Sequence, residues 1–352
     1  MRVVLVGTGM RPIPPPGYGG VERTIAEFAG ALRAAGDDVR IVHEPHPGRL
    51  GEIRFAGHLA RYRSLLEEGV VHAHTPVVAD RLARLPVPFV YTTHSRHWFV
   101  RSGWAERRGY RLEQAAVRAA AATVAVTERV RDAIRAAIEP PPAAPLVTIP
   151  LGVDLDRFRP RSAAGRPDEV LGVGAVVPVK RWHVVAAALR GTGISMRLAG
   201  PVLDRAYART VEASGPVRFL GELPEEQLLA EYDRAGCLVH PSEVELFPGV
   251  VVQAMACGRP VVGSEATAAV ADAPRSATVL PDGPDEGLRT AYRTEIVRLL
   301  ADEPRRIEMG RAARASAQDR FRWDRIVDAH HELYRRVGLA ARRSTAAAAP
   351  AP

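Results

Sequence analysis

Short β-branched runs alternate along the chain with longer stretches in which apolar residues recur every three or four positions, the signature of parallel strand–helix–strand units. The first run, Arg2 to Val6, leads into a loop rich in proline and glycine (Pro12, Pro14, Pro15, Pro16, Gly17, Gly19, Gly20). The pattern predicts a helix from Val21 to Ala35, stopped by Gly36, and a strand from Val39 to His43. Strands at Val70 to His74, Pro88 to Thr92, Thr123 to Val126 and Leu146 to Ile149 complete one doubly wound sheet. Pro140, Pro141 and Pro142, then the stretch from Pro150 to Pro167, break the periodicity. The boundary is placed there, giving an N-terminal domain of residues 1–150 and a C-terminal domain of 151–335. In the second half, strands are expected at Val170 to Val173, Ser195 to Ala199, Val217 to Phe219, Cys237 to His240, Pro260 to Val262 and Ala277 to Leu280, with a helix from Pro224 to Ala235 among them. Amphipathic helices over Tyr292 to Leu300, Pro304 to Arg320 and Trp323 to Val337 follow, the last able to pack back on the N-terminal domain. Residues 344–352 read as a disordered Ala/Pro tail. Two such α/β halves facing each other are expected to form a cleft at the carboxyl ends of their strands, where open parallel sheets bind ligands.

Composition removes several classes. A length of 352 residues with 47% hydrophobic content is ample for two cores, which excludes global disorder. The stretch Ala119 to Thr127 falls far short of the roughly 20 apolar residues a spanning helix needs. Met1 to Gly7 is too short for a signal sequence and reads as the first strand. Cys237 and Cys257 sit in apolar surroundings and fit reduced core thiols, so a cytoplasmic protein is expected. The 48 basic residues outnumber 40 acidic ones, and all but Lys180 are arginine. Residues 1–160 hold 22 Arg against 16 Asp and Glu, with Arg96, Arg101, Arg107, Arg108, Arg111 and Arg118 in one segment. That segment reads either as solvated helix faces or as a basic patch facing an anionic acceptor or a membrane surface. No aromatic stacking platform accompanies the charge, so nucleic acid is not expected as a partner.

Three segments carry candidate chemistry. Gly19 and Gly20 precede a helix start, where a phosphate can approach bare backbone amides. The Rossmann spacing Gly-x-Gly-x-x-Gly is absent, and Gly7-Thr8-Gly9 does not complete it, which disfavours a nicotinamide enzyme. Lys180 follows the first strand of the second half. A single lysine in an arginine-using chain suggests a task for a compact point charge, such as holding a pyrophosphate oxygen. The third segment runs from His240 to Val262: a strand, a loop carrying Glu245, and an apolar helix whose first amides, from Phe247, Pro248, Gly249 and Val250, face anything anionic. His72 and His74 share one face of a strand but have no third ligand nearby in sequence, so no metal is expected there.

The run from His240 to Val262 resembles the Glu-x7-Glu signature of the retaining GT-B-fold glycosyltransferases of family 4. Further matches, in order along the chain, are Gly19-Gly20-Val21-Glu22, Val71-His72-Ala73-His74, Tyr91-Thr92-Thr93-His94, Ile149 to Asp154, Ala199-Gly200-Pro201 and Arg218-Phe219-Leu220-Gly221. The resemblance implies an α/β GT-B fold of two Rossmann-like domains and a hexosyltransferase that moves sugar, with retention, from a UDP- or GDP-type nucleotide sugar to a hydroxyl. It implies that Gly20 contacts the donor diphosphate, that His94 lies beside the transferred sugar, that Lys180 pairs with the diphosphate and that Glu245 binds the donor sugar. By the same resemblance the amides of Phe247 to Val250 hold sugar and phosphate, Gln253 sits where relatives bind the ribose, Gly200 belongs to the donor pocket and Phe219, Leu220 and Gly221 line its base-binding part. Domain closure and no cofactor or metal are implied as well.

Two departures stand out. Gly174-Ala175 replaces the family's Gly-Arg, leaving Arg181 as the neighbouring candidate cation, and Gln253 replaces a glutamate. Weaker donor binding or an unusual nucleotide is expected. The acceptor, whether a small molecule, natural product or lipid, is not specified, and peripheral contact with an anionic membrane stays open. A sugar phosphorylase or nucleotide-sugar epimerase of the same fold, or a degenerate nucleotide-sugar-binding module, are the alternatives.

Overall fold

The computed structural model describes residues 1–347 apart from 18, 47, 49, 101, 102, 163 and 164, with side chains to residue 338. The chain divides into two compact units, Met1–Gly152 joined by the segment from Trp323 onward, and Val153–Arg322.

The first unit holds strands β1 (Arg2–Val6), β2 (Asp38–Val42), β3 (Val70–Ala73), β4 (Phe89–Thr93), β5 (Ala122–Ala125) and β6 (Leu146–Thr148) in the order β2-β1-β3-β4-β5-β6. Every pairing is parallel. β1 reads as the continuous apolar run that a strand buried on both faces requires, while β4, equally buried, ends in Thr92 and Thr93, whose hydroxyls are hydrogen-bonded. The strand order reverses between β1 and β3, and ligands gather at the carboxyl ends of such a pair.

The second unit holds β7 (Arg166–Val173), β8 (Ser195–Ala199), β9 (Val217–Gly221), β10 (Ala235–His240), β11 (Val261–Ser264) and β12 (Ala277–Leu280) in the order β12-β11-β10-β7-β8-β9, again parallel. Its reversal lies between β7 and β10. β7 begins four residues before the predicted Val170, because Arg166, Asp168 and Glu169 tie its exposed start through ion pairs with one another and with Arg234.

The last helix, Trp323–Ala347, leaves the second unit for the first. Ile326, Val327, Leu333, Tyr334 and Val337 bury against Ile25, Phe28 and Leu32 of the helix Gly20–Ala34 and against the first sheet. The second unit therefore ends at Arg322, not at 335. Ser344 to Ala347 continue the helix instead of opening a tail, and 348–352 lie outside the described residues. Gly152 is required where the chain passes this helix: a Cβ there would lie 2.4 Å from the Trp323 ring. Among the described residues no helix is long and apolar enough to cross a membrane.

Candidate active site

In the second unit the switch point is built around the predicted lysine. β7 ends at Val173, and after Gly174 and Ala175 the chain makes a 3-10 turn, Pro178–Lys180. Arg181 follows with φ 51°, the single described non-glycine residue with positive φ, and starts the helix Trp182–Ala188. The Trp182 indole, fully buried, donates to the Ala175 carbonyl at 3.0 Å and fixes the loop. The loop leaving β10 is sewn to this turn by the Glu243 amide donating to the Val179 carbonyl at 3.0 Å.

Those contacts bring Lys180 and Glu245 together: the ammonium donates to Glu245 Oε1, and each side chain is 19% exposed. His240, at the end of β10 and fully buried, places Nε2 3.6 Å from the same oxygen, while its Nδ1 lies 2.9 Å from Thr267 Oγ1. Burial pushes the Glu245 carboxyl up, but His240 and Lys180 beside it prevail and hold it at about 2. Burial lowers the His240 imidazole in turn, so the centre presents a lysine–carboxylate pair over a neutral histidine at pH 7. His240 Nε2 has no hydrogen-bond partner.

Gly174, Gly200 and Gly221 form a second feature. The Gly174 amide donates to the Ala199 carbonyl and the Gly200 amide to the Gly221 carbonyl, each at 2.8 Å. Gly200 has φ +143°, and a Cβ on it would lie 2.1 Å from the Gly174 carbonyl oxygen. Its place is therefore set by close backbone approach between the ends of β7 and β8. A Cβ on Gly174 would stand 3.6 Å from Lys180 Cε, an ordinary contact distance, so the lysine stem passes beside that glycine.

Other predicted residues are placed as follows. The guanidinium of Arg181 is taken by Asp285 Oδ1 (2.5 Å) and the Gly283 carbonyl (3.0 Å), so its fork is not a free substitute for the cation missing at Ala175, itself buried. Phe247 spends its ring on Phe321, centroids 5.8 Å apart, which leaves its backbone as what it offers a ligand. Pro248 caps the helix Gly249–Ala256 without a side-chain hydrogen bond, and Val250 packs partly into the core. Gln253 Oε1 accepts from the Tyr232 hydroxyl at 3.0 Å. With that lone pair taken, the amide NH2 is what distinguishes Gln253 from a glutamate, and a ribose hydroxyl meeting it would accept instead of donate. Phe219, Leu220 and Gly221 lie in the last three positions of β9, half-buried.

In the first unit, Gly19 and Gly20 stand at the start of the helix Gly20–Ala34, and a Cβ on Gly20 would meet nothing within 4 Å. His94 follows β4, half-buried, with its Nε2 3.2 Å from His74 Nδ1. The rings of His72, His74 and His94 are stacked in series, centroids 4.5 and 5.5 Å apart, and His330 of the last helix joins at 5.6 Å from His72. His72 is locked between the Tyr334 hydroxyl and Thr92 Oγ1, each at 2.7 Å. Burial pushes all four imidazoles down, His94 and His330 to about 4, so the row is uncharged at pH 7. His74, His94, Thr24, Pro150, Trp323 and His330 line a small cavity, and the buried His74 Nε2 has no partner.

Glu113 escaped the sequence reading. From the helix Trp104–Ala119 it reaches under β4 and accepts from the Tyr91 hydroxyl (2.8 Å) and Thr93 Oγ1 (2.9 Å), fully buried. Burial pushes its carboxyl up to about 7 against the hydrogen bonds that favour ionisation. Because the folded state holds this proton more tightly than the unfolded chain, the stability it contributes is full below about 4.5 and is lost as pH rises through 7. Glu113→Gln is expected to gain stability relative to the parent between pH 5 and pH 8, read as urea midpoints at both pH values. Parallel midpoints would remove the buried proton from the account.

With the geometry in hand, similarity to known proteins decides the family. The sequence profile for Glycosyltransferase Family 4 matches residues 18–157, and that for Glycosyl transferases group 1 matches residues 156–316. A D-inositol 3-phosphate glycosyltransferase of Acidothermus cellulolyticus is 30% identical over 335 residues, 83% of this chain and 73% of that protein. The chain belongs to the family 4 glycosyltransferases. A glycogen synthase of Mycobacterium tuberculosis is 27% identical over 410 residues, covering 97% of this chain and 95% of its own. Among solved structures, Anabaena HepE in complex with UDP-glucose superposes with a TM-score of 0.76 at 18% identity, over 95% of this chain and 99% of that one. The fold of the two units is accordingly GT-B, and the protein is a bacterial hexosyltransferase. Within this transferase the profile boundary at residues 156–157 falls close to the unit boundary at Val153.

Proposed function

We propose that this transferase moves a hexose, with retention of anomeric configuration, from a UDP- or GDP-type nucleotide sugar to a hydroxyl acceptor. The observation that carries the reading is the Lys180–Glu245 pair at the β7/β10 switch point, the strand ends where an open parallel sheet takes a phosphorylated ligand. Lys180 holds a diphosphate oxygen and stabilises the charge that grows as the leaving group departs. Glu245, ionised, accepts hydrogen bonds from donor-sugar hydroxyls, and the amides at the start of Gly249–Ala256 favour the same anion. The lysine and these amides serve the diphosphate without a metal. Gly20, with open space above its Cα, receives the donor in the first unit, and His94, neutral, is a hydrogen-bonding partner for the transferred sugar rather than a charged acid. No protein nucleophile is assigned: a donor phosphate oxygen takes the acceptor proton as the new bond forms on the same face.

The donor type draws support from the UDP-glucose in HepE, and a polar acceptor from the inositol 3-phosphate named for the Acidothermus relative. The helix Trp104–Ala119 adds a route to acceptors on anionic lipid: Trp104 is 70% exposed with Arg108 over its ring at 5.6 Å, and Arg107, Arg111 and Arg118 are exposed along the same helix. Two free buried thiols, Cys237 and Cys257, suit a reducing cytoplasm.

The test is a donor screen by thermal shift, followed by turnover of the stabilising nucleotide sugar with polyols, sugar phosphates or anionic vesicles as acceptors. Turnover that requires an acceptor hydroxyl supports the reading. Turnover with inorganic phosphate or with nucleotide sugar alone makes the protein a phosphorylase or epimerase, and donor binding with no turnover across the panel makes it a binding module.

A further inference from the structure

Outside the residues assigned to the donor, the segment leaving β2 and the helix Gly51–His58 bring Glu44, His46 and His58 together. Their nearest donor atoms all lie within 4.8 Å of one another. His58 Nδ1 is 2.8 Å and His46 Nε2 is 3.5 Å from the same oxygen, Glu44 Oε2. The other carboxylate oxygen is held by the Tyr62 hydroxyl. A tetrahedral zinc ion, with bonds of about 2.0–2.1 Å, sets neighbouring ligand atoms about 3.3 Å apart; the two nitrogen–carboxylate distances of 2.8 and 3.5 Å bracket that spacing, and the two imidazole nitrogens, within 4.8 Å of each other, draw together by side-chain rotation to reach it.

A hydrogen-bonded network alone explains only part of the cluster. It satisfies Glu44 through His58 and Tyr62, yet leaves His46 Nε2 buried without a hydrogen-bond partner and aimed at the carboxylate. The backbone beneath His46 is built to hold it there. Its amide donates to the Gly9 carbonyl at 3.0 Å, and a Cβ on Gly51 would come within 2.2 Å of its carbonyl oxygen. The side chains of His46, Glu44 and His58 are 25%, 28% and 33% exposed, so the cluster lies close to the surface.

We propose that Glu44, His46 and His58 form a zinc site in the first unit, with Tyr62 orienting the carboxylate that binds the ion. Two imidazoles and one carboxylate suit Zn2+ over Mg2+ and Ca2+, which take oxygen ligands. The ion clamps the exit of β2 and the adjoining β1 exit loop to the end of the helix Gly51–His58, and takes no part in sugar transfer.

Calorimetry of untagged, chelator-stripped full-length protein tests this with ZnCl2 and, separately, MgCl2. One equivalent of Zn2+ is expected to bind and raise the thermal midpoint, while Mg2+ does neither. His46→Gln and His58→Gln are each expected to weaken Zn2+ binding by at least about 10- to 100-fold, the loss seen when only a group supporting a ligand is removed. Co2+ in place of Zn2+ is expected to give the visible bands of a four-coordinate site that vanish in both variants. His46→Gln removes a nitrogen with no hydrogen bond to lose, so it decides the matter even where His58→Gln fails to fold. Absence of saturable Zn2+ binding by the folded parent, or equal binding by parent and His46→Gln, overturns the proposal.

Discussion

Lys180→Ala is expected to lower kcat/KM for sugar transfer by about 10²- to 10³-fold, the usual loss when one group facing developing negative charge is removed. Two effects add. The donor diphosphate loses its cation, and no neighbour replaces it, because Ala175 has no charge and Arg181 is held by Asp285 and the Gly283 carbonyl. Glu245 loses the ammonium that helps hold its carboxyl near 2, so burial pushes it upward. Its ionised form then disappears at a higher pH than in the parent, and the acid limb of the variant's rate profile moves toward neutrality. Lys180→Arg is expected to stay impaired, since a broad planar fork does not reproduce the compact point charge that a lysine sets beside Glu245. Steady-state rates across pH, with donor binding by calorimetry, check both points. Parent-like affinity and rate in Lys180→Ala would falsify the phosphate assignment.

Gly200→Ala is expected to destabilise the second unit by about 3 kcal/mol or more, measured as a lowered urea midpoint. The added methyl would stand 2.1 Å from the Gly174 carbonyl oxygen, in a residue with φ +143°, and both objections come from backbone, which cannot swing aside. Relief requires parting the ends of β7 and β8 just where the Lys180 turn begins. Gly20→Ala is the matched control: its Cβ meets nothing within 4 Å, so stability should stay within about 1 kcal/mol while any donor role of the bare helix start is exposed as a raised KM. Equal stability of Gly200→Ala and its parent would show that the two strand ends can separate freely.

The alternation of strands and helices was legible because parallel strands buried on both faces are written as unbroken apolar runs, as in Val3 to Val6 and Leu238 to Val239. Lys180 stood out by its rarity, and Glu245 by its place in a motif. The partners that tune them did not, because they arrive through tertiary contact. His240 reads as a strand residue until Glu245 folds back over it, and Tyr232 reads as helix core until its hydroxyl meets Gln253, 21 positions away. Glu113 sits in an arginine-rich helix whose charges suggest a solvated face, yet its side chain is the one turned inward under Tyr91 and Thr93. The last helix shows an apolar stripe in sequence, and its expected return to the N-terminal domain is met where Ile326, Val327 and Tyr334 bury against Ile25 and Phe28. The start of β7 was missed because Arg166, Asp168 and Glu169 look like loop residues until Arg234 pairs with them.

A chain with a single ε-amine also has a built-in reporter. Within this sequence amine-directed acylation has one side-chain target, Lys180. An adduct that a peptide digest places on Lys180 therefore reports on the candidate site itself. Protection of that one amine by a nucleotide or sugar measures occupancy directly, without an engineered label.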